Sequence, residues 1–237
     1  METLTTSWSL IVLKDLSQYW NNGTCYNSWD IVNCNGSEWW PKIVDWNAPT
    51  WKAMSFDWVD DWIIVPWKSD TGIINDMTFI SKIKHSWAQE ANNWWGWRII
   101  SLKGINGEIY SRIDDTLKGD GITPTPQGRL GILFWLILSW TVNELNWIPN
   151  SLAWLDTNYH IISNTKWNKI VNYLDGVKKT ESNNTIWLME TKSSFYIWWA
   201  NPNTANFSWE IEEVRIYNRS LSDQEILQQA KNAGLYR

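Results

Sequence analysis

The clearest hydrophobic pattern of the chain lies between Glu212 and Asn218. Val214 and Ile216 fall on one side of an extended backbone, and the residues between them fall on the other. A two-residue period is typical of a strand with one buried face, because successive side chains of a strand point to opposite faces of the sheet. The pattern therefore predicts a strand that needs a sheet around it.

A short helix is predicted to close the chain over residues 222–233. Ser222 stands three residues before Glu225, which is the spacing of a capping box. Ile226 and Ala230 then lie on one apolar stripe, and a glycine follows it. These signals are local, so they predict where the helix begins and ends without any knowledge of the fold.

Further strands are predicted where short apolar or alternating runs occur between turn signals. The predicted ranges are 77–83, 98–102, 108–111, 130–138, 158–163, 169–173, 177–180 and 195–197. The run at 130–138 is apolar on both faces, as expected of a central strand. Asp175-Gly176 is a typical two-residue turn, so it is predicted to join its neighbouring strands as a hairpin.

Two segments are predicted to be irregular. Residues 27–50 are mostly Asn, Ser, Asp, Gly, Pro and Trp, and residues 118–128 contain Gly and Pro breakers. Many short strands, frequent turns and one terminal helix together predict an all-β, antiparallel two-sheet sandwich with a short C-terminal helix. A sandwich of 237 residues can form one domain, so we expect a single domain over residues 1–237.

Composition and charge narrow the possible partners. Hydrophobic residues make up 44% of the chain and charged residues 19%, which is enough apolar material for a substantial core. The net charge is −5, whereas nucleic-acid binding depends on clustered Lys and Arg, so no nucleic-acid partner is expected. The longest apolar run, Leu130 to Trp140, is too short to cross a bilayer, and the first residues lack the pattern of a signal peptide.

The segment Ile211 to Ser222 resembles the closing signature of laminin-G-like, or concanavalin A-like, jelly-roll domains. In that family an Ile-Asp-Glu-Val-Arg-Ile-Tyr strand precedes an Asn-Arg-x-Leu-Ser turn and a helix; here Glu212 replaces the Asp, and Trp209 replaces a glycine. Residues 53–66 are similar to the family's Ala-Leu-x-Phe-Asp-Gly-x-Asp-Asp-Tyr-Val-x-Val-Pro. The resemblance extends over residues 10–230.

The resemblance implies a jelly-roll sandwich that acts as a non-catalytic binding or adhesion module, with a glycan or an extracellular protein as its partner. It also implies an extracellular or cell-surface location as part of a larger protein. Family members often open with a strand that runs into a Met-Glu-Thr-like segment. Met1 is therefore predicted to lie inside the first strand of a longer gene product, with part of that strand missing here.

Three aspartates lie close together at positions 57–61, and the resemblance implies that Glu212 lies near them in the fold. Ca²⁺ takes about six to eight oxygen ligands, and some members of the resembling family hold this ion. The candidate ligands of a structural Ca²⁺ are Asp57, Asp60, Asp61 and Glu212. The alternative interpretation is a solvated acidic turn together with a salt bridge from Glu213 to Arg215.

The two cysteines, Cys25 and Cys34, are nine positions apart in an Asn-rich segment. They form a disulfide if the protein is exported, because such bridges persist in oxidising compartments. The alternative interpretation is two free thiols. Both interpretations stay open on sequence alone.

Glycoside hydrolysis is the enzymatic alternative, because concanavalin A-like folds also include glucanases. A retaining hydrolase needs two carboxylates about 5–5.5 Å apart, and Glu210-Ile211-Glu212 is only a fragment of the usual Glu, Asp and Glu pattern. His85 and His160 have no nucleophile or second metal ligand at a useful spacing. We therefore predict no catalytic residues. A structural spacer without a ligand is a further alternative.

The tryptophan content is anomalous. The chain has 23 Trp and 12 Gly, whereas Gly is ordinarily about 7% of residues. Many of the Trp occupy turn contexts, where a bulky side chain is unfavourable. The positions at which the resembling family carries glycine are Trp58, Trp198, Trp199 and Trp209. One interpretation is sugar stacking by exposed Trp; the positions favour another, in which the organism reads UGA as glycine.

The codons of the gene test this hypothesis. We expect UGA at Trp58, Trp198 and Trp209, because glycine fits those positions in the resembling family. Trp62 and Trp97 have the least glycine-like contexts and serve as the comparison. UGG at the first three positions would contradict the hypothesis.

Overall fold

The computed structural model describes most of the predicted strands and the closing helix. The described residues are 3–5, 11–13, 22–27, 30–34, 42–46, 48–56, 61–66, 73–74, 76–88, 97–103, 107–114, 129–136, 141–147, 158–166, 169–183, 189–190, 194–199 and 207–234.

The strands, in chain order, are β1 (Thr3–Thr5), β2 (Ile11–Leu13), β3 (Thr24–Asn27), β4 (Asp30–Val32), β5 (Lys42–Trp46), β6 (Ala48–Phe56), β7 (Asp61–Val65), β8 (Ile73–Ile74), β9 (Met77–Ala88), β10 (Trp97–Lys103), β11 (Gly107–Asp114), β12 (Arg129–Leu136), β13 (Thr141–Trp147), β14 (Asn158–Lys166), β15 (Lys169–Leu174), β16 (Val177–Asn183), β17 (Met189–Glu190), β18 (Phe195–Trp199) and β19 (Phe207–Tyr217). The helix α1 (Asp223–Asn232) follows them.

Two large antiparallel sheets contain most of these strands. The eight-stranded sheet has the order β13-β12-β11-β10-β18-β7-β3-β4, and the seven-stranded sheet has the order β16-β15-β14-β9-β19-β6-β5. The pairs β1-β2 and β8-β17 form two small additional sheets. The expected fold class, an antiparallel β-sandwich with a short C-terminal helix, is confirmed.

The core consists of the inward side chains of both large sheets. In the eight-stranded sheet, Ile63 and Phe195 are at most 1% exposed. In the seven-stranded sheet, Met54 and Ile83 pair with Ile211 in one row and are fully buried. Burial of such side chains is the main source of folding free energy in a sandwich.

The strand β19 lies in the middle of the seven-stranded sheet, between β9 and β6. Val214 and Ile216 pair with Ser81 and Phe79 on the inward face, as the alternation in the sequence predicts. The other face is also covered, because Tyr217 on that face packs against the closing helix. The strand is therefore partly buried on both faces.

The helix α1 covers the outward face of the seven-stranded sheet. Ile226 and Leu221 pack there with Ile80 of β9 and Tyr173 of β15 in one buried cluster. The Tyr173 hydroxyl donates a 2.9 Å hydrogen bond to Asp223, and burial together with this carboxylate raises the pKa of Tyr173. A hydrophobic cluster and a polar contact thus hold the helix on the sheet.

Polar groups also fix the turn between β19 and α1. The Thr78 hydroxyl donates to the Arg219 carbonyl at 2.9 Å and accepts from the Leu221 amide at 3.1 Å. The predicted capping box is present: the Ser222 hydroxyl accepts from the Glu225 amide, and the Glu225 carboxylate accepts from the Ser222 amide at 2.8 Å. The helix begins at the residue that the sequence indicates because these bonds satisfy its free amide groups.

The predicted hairpin at Asp175-Gly176 is confirmed. Both residues have positive φ, 51° for Asp175 and 78° for Gly176, as a two-residue hairpin turn of type I′ requires. The prediction of an irregular segment at residues 27–50 is wrong in part, since β4, β5 and the start of β6 lie within it. β4 and β5 are edge strands with a single neighbour each, so pairing rather than hydrophobic alternation defines them. The predicted loop at 118–128 lies outside the described residues.

The tryptophans in strands do not have the backbone conformation that requires glycine. Trp198 and Trp209 lie in β18 and β19, and among the described residues Asp175 is the only non-glycine with positive φ. Trp58 lies outside the described residues. The codon hypothesis therefore rests on the comparison with the resembling family at these strand positions, and it stays a prediction.

The exposed helix cap makes stability depend on pH. Two hydrogen bonds from Arg219, followed by those from Ser222, lower the pKa of Glu225 from an ordinary 4.5 to about 2. A carboxylate whose pKa is lowered by folding stabilises the fold above its unfolded pKa, and this contribution is lost as the pH falls through the folded value. We expect Glu225→Gln to be less stable than wild type at pH 7 and equally stable near pH 2.

Chemical denaturation at a series of pH values measures this difference. Gln224→Ala, in the same exposed first turn, is the control and should show the wild-type pH dependence. A constant difference between Glu225→Gln and wild type over the whole range would contradict the prediction.

Candidate functional site

The proposed calcium ligands are only partly described. Asp57 and Asp60 lie outside the described residues. Asp61 begins β7 in the eight-stranded sheet and is 1% exposed, whereas Glu212 belongs to β19 in the seven-stranded sheet. Among the described residues, no group of three His, Cys, Asp or Glu side chains has an arrangement that could hold a metal ion. The calcium site stays a prediction.

The acidic residues of β19 contact basic residues instead. Glu212 is the extra residue at a register shift between β19 and β9, and its carboxylate lies 2.5 Å from the ammonium of Lys82. Lys82 is almost completely buried, and a bulge at this position directs an additional side chain toward it. The salt bridge between Glu213 and Arg215, which belongs to the alternative interpretation, is present.

The two carboxylates considered for glycoside hydrolysis, Glu210 and Glu212, both lie beside lysines. Glu210 lies 3.8 Å from Lys84, and Glu212 contacts Lys82, so each carboxylate faces a lysine of β9. His85 and His160 lie in β9 and β14. Glu210 and Glu212 thus belong to a row of ion pairs between β19 and β9, and its Lys82 member is buried.

The structure joins Cys25 and Cys34 by a disulfide, with 5.4 Å between their Cα atoms. Cys25 lies in β3 on the inward face, in one row with Ile63 of β7 and Val32 of β4. Both cysteines are fully buried. The bridge therefore closes the hairpin β3-β4, which forms the outer edge of the eight-stranded sheet.

The outward face of the same hairpin carries a row of apolar side chains that the sequence analysis did not single out. Tyr26 of β3 pairs with Trp62 of β7 on one side and with Ile31 of β4 on the other. The Tyr26 and Trp62 rings are stacked, with centroids 5.7 Å apart and planes 15° from parallel. We call these three side chains the hairpin patch. The sequence could have indicated this row, because if Cys25 of a strand points into the core, its neighbour Tyr26 must point outward.

Comparisons with known proteins support the fold. No protein-family model matches the chain, and no curated protein matches it. The laminin-G-like assignment is therefore not confirmed at the level of a family. Many solved structures do match.

One similar structure is domain 4 of AbnA, an extracellular arabinanase of Geobacillus stearothermophilus, solved in complex with arabinotriose. It has a TM-score of 0.61 and 15% identity, and the match covers 92% of each chain. The receptor-binding domain of botulinum neurotoxin D has a TM-score of 0.63 and 13% identity over 98% of this chain. The serotype D ligand-binding domain in complex with N-acetylneuraminic acid has a TM-score of 0.59 and 13% identity over 97% of this chain.

The lengths of these matches differ. The chain spans about half of the neurotoxin binding domains, 52% and 50% in these two cases, but nearly the whole of the arabinanase domain. Identities this low establish the fold alone. The chain therefore has the β-sandwich fold that it shares with these domains.

In the part of the chain that the structure describes, no helix has the length and apolar character needed to cross a membrane.

The disulfide should contribute measurably to stability. We expect the double variant Cys25→Ser/Cys34→Ser to lose about 2–4 kcal/mol of unfolding free energy, because the bridge restricts the unfolded chain. Urea denaturation with and without a reducing agent measures the loss. The double variant is its own control, since the reductant should not change its midpoint. Two titratable thiols in the unreduced wild type would instead support the free-thiol interpretation.

Proposed function

We propose that this chain is a non-catalytic carbohydrate-binding module of a larger exported or cell-surface protein. The observation that supports the proposal is the match with domain 4 of the arabinanase, in which the same fold over nearly the same length binds an oligosaccharide. A second neighbour of the same fold was solved with N-acetylneuraminic acid. Because one fold hosts many functions, this support is an analogy and needs a binding test.

The surroundings of the carboxylates agree with a binding role. Glu210 and Glu212 each form an ion pair with a lysine of β9, which is a structural role that carboxylates of a strand commonly have. A disulfide at the edge of the sheet suits a protein that works in an oxidising compartment. A structural calcium ion with Asp57, Asp60, Asp61 and Glu212 as candidate ligands remains part of the proposal, as a support for the fold rather than for chemistry.

A glycan array tests the proposal. We expect the full chain to bind at least one class of glycan on an array that includes arabino-oligosaccharides and sialylated glycans, and to cleave none of them. The melting temperature of the same sample with and without Ca²⁺ tests the metal, because a ligand of the folded state raises it. A blank array together with no polysaccharide cleavage would favour the spacer alternative, and cleavage would favour the hydrolase.

A further inference from the structure

The hairpin patch becomes more exposed toward the edge of the sheet. Trp62, in the third strand from the edge, is 8% exposed, and Tyr26 in the second strand is half-buried. Ile31, in the edge strand, is 55% exposed. A single exposed isoleucine is ordinary, but this one continues an aromatic row into solvent. The three side chains therefore form an apolar surface, and ring stacking holds its Tyr26 and Trp62 members in place.

The chemistry of the patch suits a sugar ring. A pyranose or furanose ring presents one face of C–H groups, which packs on an aromatic or aliphatic surface, while its hydroxyl groups point sideways to polar partners. Tyr26 and Ile31 supply the apolar surface, and Trp62 stacks against Tyr26 and limits its movement. Asp30 precedes Ile31 in β4, so its side chain points to the opposite face of the hairpin and the patch itself carries no charge.

The charged residues of the hairpin indicate which class of sugar the hairpin patch would bind. Residues 22–34 contain one acidic residue, Asp30, and no Lys, Arg or His. An anionic sugar such as N-acetylneuraminic acid would find no basic residue of the hairpin to pair with its carboxylate, whereas a neutral sugar needs no such partner. The charge therefore favours a neutral glycan over a sialylated one.

The disulfide holds this surface in place. Tyr26 and Ile31 both lie within the loop that the Cys25–Cys34 bridge closes. Edge hairpins lose order more easily than central strands, and ordering a loop on binding weakens affinity. The bridge removes much of that cost before the ligand arrives.

We propose that the hairpin patch is a subsite for one ring of a neutral oligosaccharide, which lies against Tyr26 and Ile31, and that the Cys25–Cys34 bridge preorganises it. The inference rests on the proposed carbohydrate-binding function and assigns that function to a location and a ligand class. The anchoring residues, Tyr26 and Ile31, lie in two adjacent strands within the loop that the disulfide closes. The subsite is therefore at the edge of the eight-stranded sheet.

Isothermal titration calorimetry of the full chain tests the subsite. The titrant is arabinotriose, or the neutral glycan with the strongest array signal, and N-acetylneuraminic acid is the acidic comparison. We expect Tyr26→Leu to weaken binding of the neutral glycan about tenfold, because it keeps apolar bulk and removes the ring face. Ile31→Ala should weaken it less. Reduction of the disulfide should weaken it as well.

Val177→Ala is the matched control for Ile31→Ala, because Val177 is also an exposed strand residue, 41% accessible, but in the other large sheet. It should bind as wild type does. Thermal melting of each variant verifies that the fold is retained, and Tyr26→Phe, which keeps the ring, should restore most of the affinity.

The outcomes separate the two proposals. Wild-type binding that persists in Tyr26→Leu overturns the subsite and leaves the carbohydrate-binding function standing. Preference for N-acetylneuraminic acid over the neutral glycan overturns the ligand class. A wild-type chain that binds no glycan at all overturns both. Loss of binding in Tyr26→Leu with recovery in Tyr26→Phe supports the subsite.

Discussion

The pairing of β19 with β9 is the contact on which the rest of the molecule depends. It joins residues 207–217 to residues 77–88 along almost the full length of both strands. On the inward side the pair contributes Ile211 and Ile83 to the core, and β6 continues the sheet beyond β19. Segments so distant in sequence lose much conformational entropy when they meet, so this pairing needs the apolar burial that accompanies it.

The outward side of the same pair explains the position of the helix. Thr78 and Ile80 of β9 point away from the core, where Ile80 would be exposed without a cover. The helix supplies that cover through Leu221 and Ile226, and the hydroxyl of Thr78 bonds two backbone groups of the connecting turn. The C-terminal helix therefore completes the second face of a sheet that is buried on both sides at its centre.

The two faces of the hairpin β3-β4 in the eight-stranded sheet carry different side chains. In β3, Cys25 points inward into the disulfide and the core, and its neighbour Tyr26 points outward to Trp62 and Ile31. The two-residue period of a strand makes this division automatic. A short edge hairpin can thus carry a covalent anchor on one face and an apolar surface on the other, which is the basis of the subsite proposed here.

The sequence alone determined the features that depend on neighbouring residues. The Asp175-Gly176 turn, the Ser222-Glu225 capping box and the alternation of Val214 and Ile216 are encoded within a few positions, because turn, cap and strand geometry are local properties of the backbone. These features were sufficient to predict an antiparallel sandwich with a closing helix. The resemblance to laminin-G-like domains also lies on the segment that forms β19, an interior strand of the seven-stranded sheet.

Only the tertiary structure decided which strands are neighbours. The edge strands within residues 27–50 have little hydrophobic alternation, so their pairing could not be predicted from composition. The contact of Glu212 with Lys82 depends on a register shift, and the row of Tyr26, Ile31 and Trp62 depends on the order of three strands. Register and strand order arise from packing between distant segments, and a one-dimensional pattern does not contain them.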